Sequence, residues 1–193
     1  ATEICDQLDN DCDGDVDYEL NVGTGAGDYS TIQAAVDAAS FSSGDRICVH
    51  AGTYRENLTI DRNVWLEGEE KDSTIIDGGL AGRVLTVAGT DSAATVKGFT
   101  LTRGTSNQGA AISTNGSTLV FEDLLIKDNV AVSSGQCLGA IIHMGGSAAP
   151  EWRHIQVHDN DADCGESWGL IYTRDHMTAG FDHLSVRGNV ITS

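Results

Sequence analysis

The chain has 193 residues, of which 40% are hydrophobic, and a formal net charge of −18 at pH 7. This length is enough for one domain with a sizeable core. So acidic a chain repels phosphate backbones and anionic lipid surfaces, which argues against nucleic acid as a partner. No apolar run reaches the ~18 residues that a membrane span needs, which argues against membrane insertion.

The first segment, residues 1–23, is an acidic arm whose carboxylates follow the spacing of a calcium loop. Counting from Asp9, aspartates stand at relative positions 1, 3, 5 and 9, and Gly14 at position 6 permits a sharp turn. Leu20 stands where an EF-hand has its bidentate Glu, so the loop is of another kind. Oxygen ligands suit Ca²⁺ better than zinc or copper, and a plain solvated tail is the alternative. We predict that Ca²⁺ is bound by six residues: Asp9, Asp11, Asp13, Asp15, Asp17 and Glu19.

One helix is predicted at about residues 31–40, ahead of a chain that is otherwise strand and turn. Ser30 or Thr31 offers an N-cap hydroxyl. The apolar stripe of this helix follows the 3.6-residue period and consists of Ile32, Ala35, Val36 and Ala39. We treat residues 24–193 as one domain that begins with this helix.

From Ile47 onward, short strand-like segments alternate with turns, and the second half repeats with a period of about 30 residues. Three segments end in Asn: DLLIKDN from Asp123, HIQVHDN from His154 and HLSVRGN from His183. A second series starts at three glycines: Gly109 (GAAIS), Gly139 (GAIIH) and Gly169 (GLIYT). Because each coil of such a repeat buries its apolar face only against the next coil, the pattern predicts an all-β, right-handed parallel β-helix of about seven coils.

Stacked coils bring equivalent positions into columns with a spacing of ~4.8 Å. The Asn that closes each repeat predicts a ladder of side-chain amides, formed by Asn129, Asn160 and Asn189. Asp128 and Asp159 stack beside this ladder and are the best acid pair that the repeat offers. Their position at a turn favours a capping role over catalysis.

Two further columns face outward at the three aligned segments. Asp123, His154 and His183 offer one carboxylate and two imidazoles, a donor set for zinc or copper, although a plain polar face is the alternative. The second column is basic, and it is either a solvated face or a contact for an acidic glycan: Lys127, His158 and Arg187.

Five cysteines are compatible with an oxidising compartment. We expect one disulfide between Cys5 and Cys12, and a second between Cys137 and Cys164 on neighbouring coils, which leaves Cys48 unpaired. The alternative is a cytosolic protein in which all five are free thiols. We predict a secreted protein of bacterial type, located outside the cell or on its surface.

Two segments resemble known families. DYSTIQAAVDAASFSSGDRICVHAGTYRENLTIDRNVWLEGEEKDSTIIDG, from Asp28, resembles the start of the right-handed parallel β-helix family with the pectin-lyase-like fold, and the resemblance extends over residues 28–193. It implies that the helix plugs the first coil. EICDQLDNDCDGDVDYE, from Glu3, resembles the short Asp/Cys metal-binding motif of large secreted bacterial proteins, notably of the myxobacterial type, with Gln7 and Tyr18 as departures from the usual pattern.

Enzymes, adhesins and surface proteins share the pectin-lyase-like opening, so the resemblance implies a fold rather than an activity. No convincing acid pair, Ser-His-Asp elbow or nucleotide loop appears in the sequence. We therefore predict a structural, calcium-binding protein that is not an enzyme. An uncapped C-terminal coil favours head-to-tail stacking into an extracellular or cell-surface filament. The alternative is a carbohydrate-binding or polysaccharide-degrading, pectate-lyase-like β-helix with glycans as its partners.

Overall fold

The structure is a computed structural model that describes residues 5, 20–25, 28–40, 45–89, 93–115, 118–145, 150–173 and 180–192. These residues form an all-β parallel solenoid with a single short helix, α1 (Ile32–Ala38). The strands, in chain order, are β1 (Leu20–Val22), β2 (Asp45–Val49), β3 (Gly52–Tyr54), β4 (Leu58–Ile60), β5 (Val64–Gly68), β6 (Thr74–Asp77), β7 (Leu85–Val87), β8 (Ala93–Thr102), β9 (Ile112–Thr114), β10 (Thr118–Lys127), β11 (Val130–Cys137), β12 (Ile142–Met144), β13 (Glu151–His158), β14 (Asp161–Ser167), β15 (Ile171–Thr173), β16 (Gly180–Arg187) and β17 (Val190–Thr192).

Three parallel sheets wrap around one core. The long sheet has the order β1-β2-β5-β8-β10-β13-β16, and β3 and β6 pair along its side. The short sheet contains β4, β7, β9, β12 and β15, each of three residues, and the third sheet contains β11, β14 and β17. One coil therefore runs through one strand of each sheet, as in β9, β10 and β11. The period of about 30 residues in the sequence is one such turn.

The short sheet counts about five turns within the described residues, whereas the sequence predicted about seven coils. Within the described residues, the coils that begin at β1 and at β16 of the long sheet contribute no strand to the short sheet. Near the N-terminus, β2 and β3 are two short segments of one coil, and β5 and β6 are two short segments of the next. β1 lies within the acidic segment 1–23 and pairs with β2 in parallel register.

The helix forms where the sequence predicts it, and Thr31 is its N-cap. The Thr31 hydroxyl accepts a hydrogen bond from the Ala34 N–H at 3.2 Å. Glu56 adds a second cap, because its two carboxylate oxygens accept from the N–H groups of Ile32 and Gln33 at 2.8 and 2.9 Å. A carboxylate at a helix N-terminus is electrostatically favourable. The predicted stripe of Ile32, Ala35, Val36 and Ala39 is buried against the coils.

The predicted Asn ladder is confirmed. The Asn129 Nδ2 donates to Asn160 Oδ1 at 3.0 Å, and the Asn160 Nδ2 donates to Asn189 Oδ1 at 2.9 Å. Asn129 and Asn160 are buried, and their amides also serve backbone groups at the turn. The ladder therefore satisfies polar groups at a place where the coil has no strand pairing.

The core is a stack of like side chains from successive coils. Phe121, Trp152 and Phe181 stack with ring centroids 4.2 and 5.8 Å apart. Trp152 is fully buried, whereas Phe181 is 38% exposed because it belongs to β16, the last strand of the long sheet. Within the described residues, no helix is long and apolar enough to cross a membrane.

The structure contains two disulfides among the described residues, of which one was predicted from the sequence and one was not. Cys137 and Cys164 are bonded and join β11 to β14, as predicted. Cys5 is bonded to Cys48 of β2, so the predicted Cys5–Cys12 pair is wrong and Cys48 is not the unpaired cysteine. Both sulfurs of the Cys5–Cys48 bridge are buried, which anchors the acidic arm to the first coils.

Candidate functional site

The short sheet has one outward-facing column of side chains with hydroxyl, imidazole and phenol groups. In β4, β7, β9 and β12 the two outer residues are buried and the residue between them faces outward, whereas the residues of β15 are only partly buried or exposed. The strand registers place these middle residues in one row: Thr59, Thr86, Ser113, His143 and Tyr172. Neighbours in this row are one coil apart, or ~4.8 Å along the solenoid.

A serine and a histidine meet in the centre of this row. The Ser113 Oγ lies 3.4 Å from the His143 Nδ1. The His143 ring stacks on the Tyr172 ring with centroids 5.8 Å apart and an interplanar angle of 14°. Trp168 meets the same Tyr172 edge-on at 6.1 Å, and its side chain is 55% exposed. The row therefore has threonine hydroxyls at one end, the Ser113–His143 pair in the middle and partly exposed aromatic rings at the other end.

Arg83 lies beside Thr86 and binds the turn that precedes β9. Its Nε and Nη2 donate to backbone oxygens of Gln108 and Gly109, and its Nη2 also donates to the Ser106 hydroxyl. Its Nη1 donates to the Thr86 Oγ1 at 3.2 Å. Burial lowers the pKa of the Arg83 guanidinium. The turn that leads into β9 is therefore held by a side chain from the coil before it.

The glycine series of the sequence positions this row. Gly109 and Gly139 have φ of +60° and +55°, a region that other residues rarely adopt. A Cβ on Gly139 would lie 2.3 Å from the Ile142 oxygen and 2.6 Å from the Tyr172 Cβ. A side chain at this glycine would therefore displace the strand that carries Tyr172. Close approach of backbone to backbone is the reason for glycine here.

A disulfide stabilises the loop that carries the exposed tryptophan. Cys137 is bonded to Cys164, and the Cys137 oxygen accepts a hydrogen bond from the Trp168 N–H at 3.0 Å. A cross-link of this kind restricts the unfolded chain and holds the two coils in register. The aromatic end of the row is thereby attached to a rigid part of the solenoid.

The predicted calcium ligands lie outside the described residues: Asp9, Asp11, Asp13, Asp15, Asp17 and Glu19. The calcium loop remains a prediction. Among the described residues, one group of potential metal ligands comes together, namely Cys5, Cys48 and His50, and its two cysteines form a disulfide.

The Asp123, His154 and His183 positions do form a column, with backbone φ of 49°, 55° and 57°. However, the imidazoles of His154 and His183 stack face to face at 4.9 Å instead of converging on a point. The Asp123 carboxylate forms an ion pair with Lys71, whose Nζ lies 3.2 Å from Asp123 Oδ1. This arrangement is a polar face with stacked rings, so it does not support the metal hypothesis.

Members of the acid pair and of the basic column contact each other at the turn. Asp128 lies 3.7 Å from Lys127, and Asp159 lies 2.8 Å from the Nδ1 of His158. Both aspartates adopt left-handed φ values at the corner beside the Asn ladder. Their role is in the turn, which agrees with the capping role predicted from the sequence.

Outward charges on the long sheet also pair along the solenoid. The register aligns Glu67, Lys97, Glu122, Arg153 and Asp182 in a row of alternating sign. The Lys97–Glu67 pair is 2.9 Å apart, and the Arg153–Glu122 pair is 3.7 Å apart. Alternating charges on adjacent strands stabilise a sheet. This row of ion pairs joins successive coils of the long sheet.

A groove of about 710 Å³ lies at the N-terminal end, but its polar groups are used by the fold. The Asp28 carboxylate accepts from the Gly25 N–H, and the Glu69 carboxylate accepts from the Ala51 N–H. The Tyr54 hydroxyl donates to the His50 oxygen at 2.9 Å. Burial, and then the charges of Asp28 and other nearby carboxylates, raise the pKa of Tyr54, so the phenol is a neutral donor. These bonds close the first coil.

Comparisons with known proteins agree with the fold. No protein-family model matches the chain. A probable pectinesterase/pectinesterase inhibitor 17 of Arabidopsis thaliana is 38% identical over 202 residues, which cover 87% of this chain and 40% of that protein. Pectinesterase 2 of the same plant is 41% identical over 59 residues, 28% of this chain and 10% of its own length. The chain spans less than half the length of these curated relatives.

Among solved structures, a pectin methylesterase mutant in complex with a hexasaccharide has a TM-score of 0.53 and 16% identity, and the match covers 77% of this chain and 50% of that one. These findings support a pectin-lyase-like β-helix family. They do not show the Asp/Cys motif of myxobacterial type.

The same relatives contradict the predicted function. All three are named for pectin ester chemistry, and none is named as a structural or filament protein. The prediction of a structural, self-assembling filament is therefore wrong, and the prediction that the protein is not an enzyme conflicts with its relatives. The alternative, a carbohydrate-active β-helix, agrees with them.

Proposed function

We propose that this protein is a carbohydrate-active enzyme that hydrolyses esters on a pectin-class polysaccharide. We place its substrate on the outward face of the short sheet. The observation that carries the proposal is the row of Ser113, His143 and Tyr172, which joins a hydroxyl–imidazole pair to an aromatic surface. The names of the curated relatives support the proposed reaction class, and the exposed hydroxyl, imidazole and aromatic groups of the row support the proposed location.

The row has the physical properties of a site for an extended sugar chain. A polysaccharide is long and presents both apolar ring faces and hydroxyls. Tyr172 and Trp168 offer aromatic rings on which the sugar ring faces can stack. Thr59 and Thr86 offer hydroxyls that can bond to the sugar hydroxyls. Because the residues of the row are one coil apart, the surface runs along the solenoid axis.

Two disulfides within the described residues support an oxidising compartment. We therefore propose that the protein acts outside the cell, where pectin-class polymers occur as substrates. The calcium-binding arm is proposed as a separate, stabilising feature, since the Cys5–Cys48 bridge attaches the arm at the end of the solenoid opposite the last coil.

Replacing Trp168 with Ala should weaken binding of an oligogalacturonide about tenfold, because a stacking surface is lost while the fold keeps its backbone contact to Cys137. Isothermal titration with wild type and W168A measures this change. Val132→Ala is the matched control, since Val132 is equally exposed at 56% but lies on the third sheet. Equal affinities of W168A and wild type would place the sugar elsewhere.

A further inference from the structure

We propose that Arg83 and Thr86 form a subsite on the short sheet that binds a free carboxylate of the polysaccharide. The substrate would then be a polyuronate that is only partly esterified. The inference rests on the proposed function, since it names the substrate class of that same surface. It starts from the position of Arg83, which lies two residues before β7 and places its Nη1 3.2 Å from the Thr86 Oγ1 in the outward row.

The charge of Arg83 has no acidic partner within the part of the chain that the structure describes. Other arginines differ, because nitrogens of Arg62, Arg103 and Arg153 lie 2.8, 3.6 and 3.7 Å from a carboxylate oxygen. Arg83 donates to carbonyl and hydroxyl oxygens instead. Burial without a counter-charge lowers the pKa of its guanidinium. A bound anion would remove this electrostatic cost.

The guanidinium keeps a donor for such an anion. Its Nε and Nη2 are directed at oxygens of Gln108, Gly109 and Ser106. Its Nη1 has two N–H groups, of which one bonds to the Thr86 Oγ1 and the other has no partner among the described residues. Because the Thr86 hydroxyl accepts that bond, its own proton is available to another acceptor. The two oxygens of a carboxylate can accept from this adjacent N–H and O–H.

These donors lie on the row where the sugar chain is proposed to bind. Thr86 is the register partner of Thr59 on one side and of Ser113 on the other. Tyr172 lies three coils further along the row, or ~14 Å away at the spacing of stacked strands. A ligand that both stacks on Tyr172 and places a carboxylate at Thr86 must therefore be several sugar units long.

A local cation is also what an acidic protein needs to bind an anionic polymer. The net charge of −18 repels a polyuronate at long range. Physiological salt screens charges beyond ~8 Å, so groups close to the ligand decide its affinity. The row itself contains no acidic side chain, and Arg83 adds a positive charge beside it. A free carboxylate should therefore bind at this position better than an uncharged ester.

The test measures affinity by isothermal titration for two hexasaccharides, one of free galacturonate and one in which every carboxylate is an amide that an esterase cannot cleave. We expect wild type to bind the free form at least about tenfold more tightly, because a carboxylate gains charge-assisted hydrogen bonds. In R83Q this preference should disappear, while affinity for the amide form stays within about twofold.

Arg103→Gln is the matched control. It removes the same formal charge, but Arg103 pairs with Asp77 at the long sheet, so the preference for the free form should stay within about twofold of wild type. Thr86→Val is a second test of the subsite, since it removes the hydroxyl and leaves the Arg83 bonds to Gln108 and Gly109 in place. We expect T86V to lose at least about threefold of the preference.

The outcomes separate the subsite from the proposed function. Equal affinities of wild type for the two hexasaccharides, or a preference that is unchanged in both R83Q and T86V, would overturn the subsite. The proposed function would still stand if the same wild-type protein released methanol from esterified pectin. A wild type that binds neither hexasaccharide and releases no methanol would overturn both.

Discussion

Replacing Gly139 with Ala should cost at least about 4 kcal/mol of stability, the largest effect that we expect for a single methyl group. The φ of +55° disfavours any side chain, and the new Cβ would lie 2.3 Å from the Ile142 oxygen. It would also lie 2.6 Å from the Tyr172 Cβ on the next coil. The strain falls on the two strands that carry His143 and Tyr172. Chemical denaturation followed by circular dichroism measures the loss.

Gly180→Ala is the matched control. It is also a glycine of the repeat region, at the start of β16, but nothing lies within 4 Å of its ideal Cβ position. We expect the free energy of unfolding of G180A to stay within about 0.5 kcal/mol of wild type. If G139A were as stable as G180A, the close approach of the coils at the glycine series would be refuted. The geometry of the proposed site would be refuted with it.

Replacing Asn160 with Ala should cost about 3–5 kcal/mol, because one buried amide satisfies groups on three successive coils. Its Oδ1 accepts from the N–H and the Nδ2 of Asn129, and its Nδ2 donates to Ile126 and His158 oxygens and to Asn189. The variant leaves these groups buried and without their partner. Urea denaturation measures the change in the free energy of unfolding.

Asn189→Ala provides the comparison within the same ladder. Asn189 ends the column on the last coil and is only partly buried, so water can replace part of what the amide provides. We expect a loss of about 1–2 kcal/mol for this variant. Equal losses for N160A and N189A would contradict a ladder whose energetic value depends on burial.

The features that sequence alone predicted are those that repeat with the coil. The helix cap at Thr31, the Asn ladder and the Cys137–Cys164 bridge are all confirmed. Each depends on local chemistry or on a spacing of about one turn, which the sequence displays directly. The fold follows from the same regularity, because strand alternation with this period has few other solutions.

The features that sequence missed depend on where separate coils or segments meet. Cys5 bonds Cys48 across a separation of 43 residues, and only the placement of the arm decides that pairing. The short sheet has about five turns where the sequence predicted about seven coils, because the described coils that begin at β1 and β16 add no strand to it. The disulfide pairing and the number of coils both depend on how distant segments pack together. Neither is visible as a local pattern in the sequence.

Part of the candidate site has a signal in the sequence, namely its distance from the repeated glycines. Ser113 and His143 each stand four residues after the glycine of their repeat. Tyr172 stands three residues after Gly169, whose φ of +103° differs from those of the other two glycines. This shift of one residue moved Tyr172 out of the simple alignment, although the strand register pairs it with His143. A column of outward residues after each glycine would have identified Ser113 and His143.

The functional error has a related cause. The predicted filament depends on an open last coil, and Val186 and Ile191 are indeed exposed there. Exposure of apolar residues at a coil end does not reveal what the protein does. The column of the short sheet is more informative, because it combines a serine hydroxyl, an imidazole and aromatic rings on one face.

The central claim is that the outward face of the short sheet binds the polysaccharide. Backbone NMR of the labelled protein, titrated with a galacturonate hexasaccharide, tests this claim most directly. We predict that the largest chemical-shift changes fall on residues of the row, at Ser113, His143 and Tyr172, and on Trp168. Changes confined to the charge ladder of the long sheet or to the groove around Tyr54, with none along the short sheet, would contradict the claim.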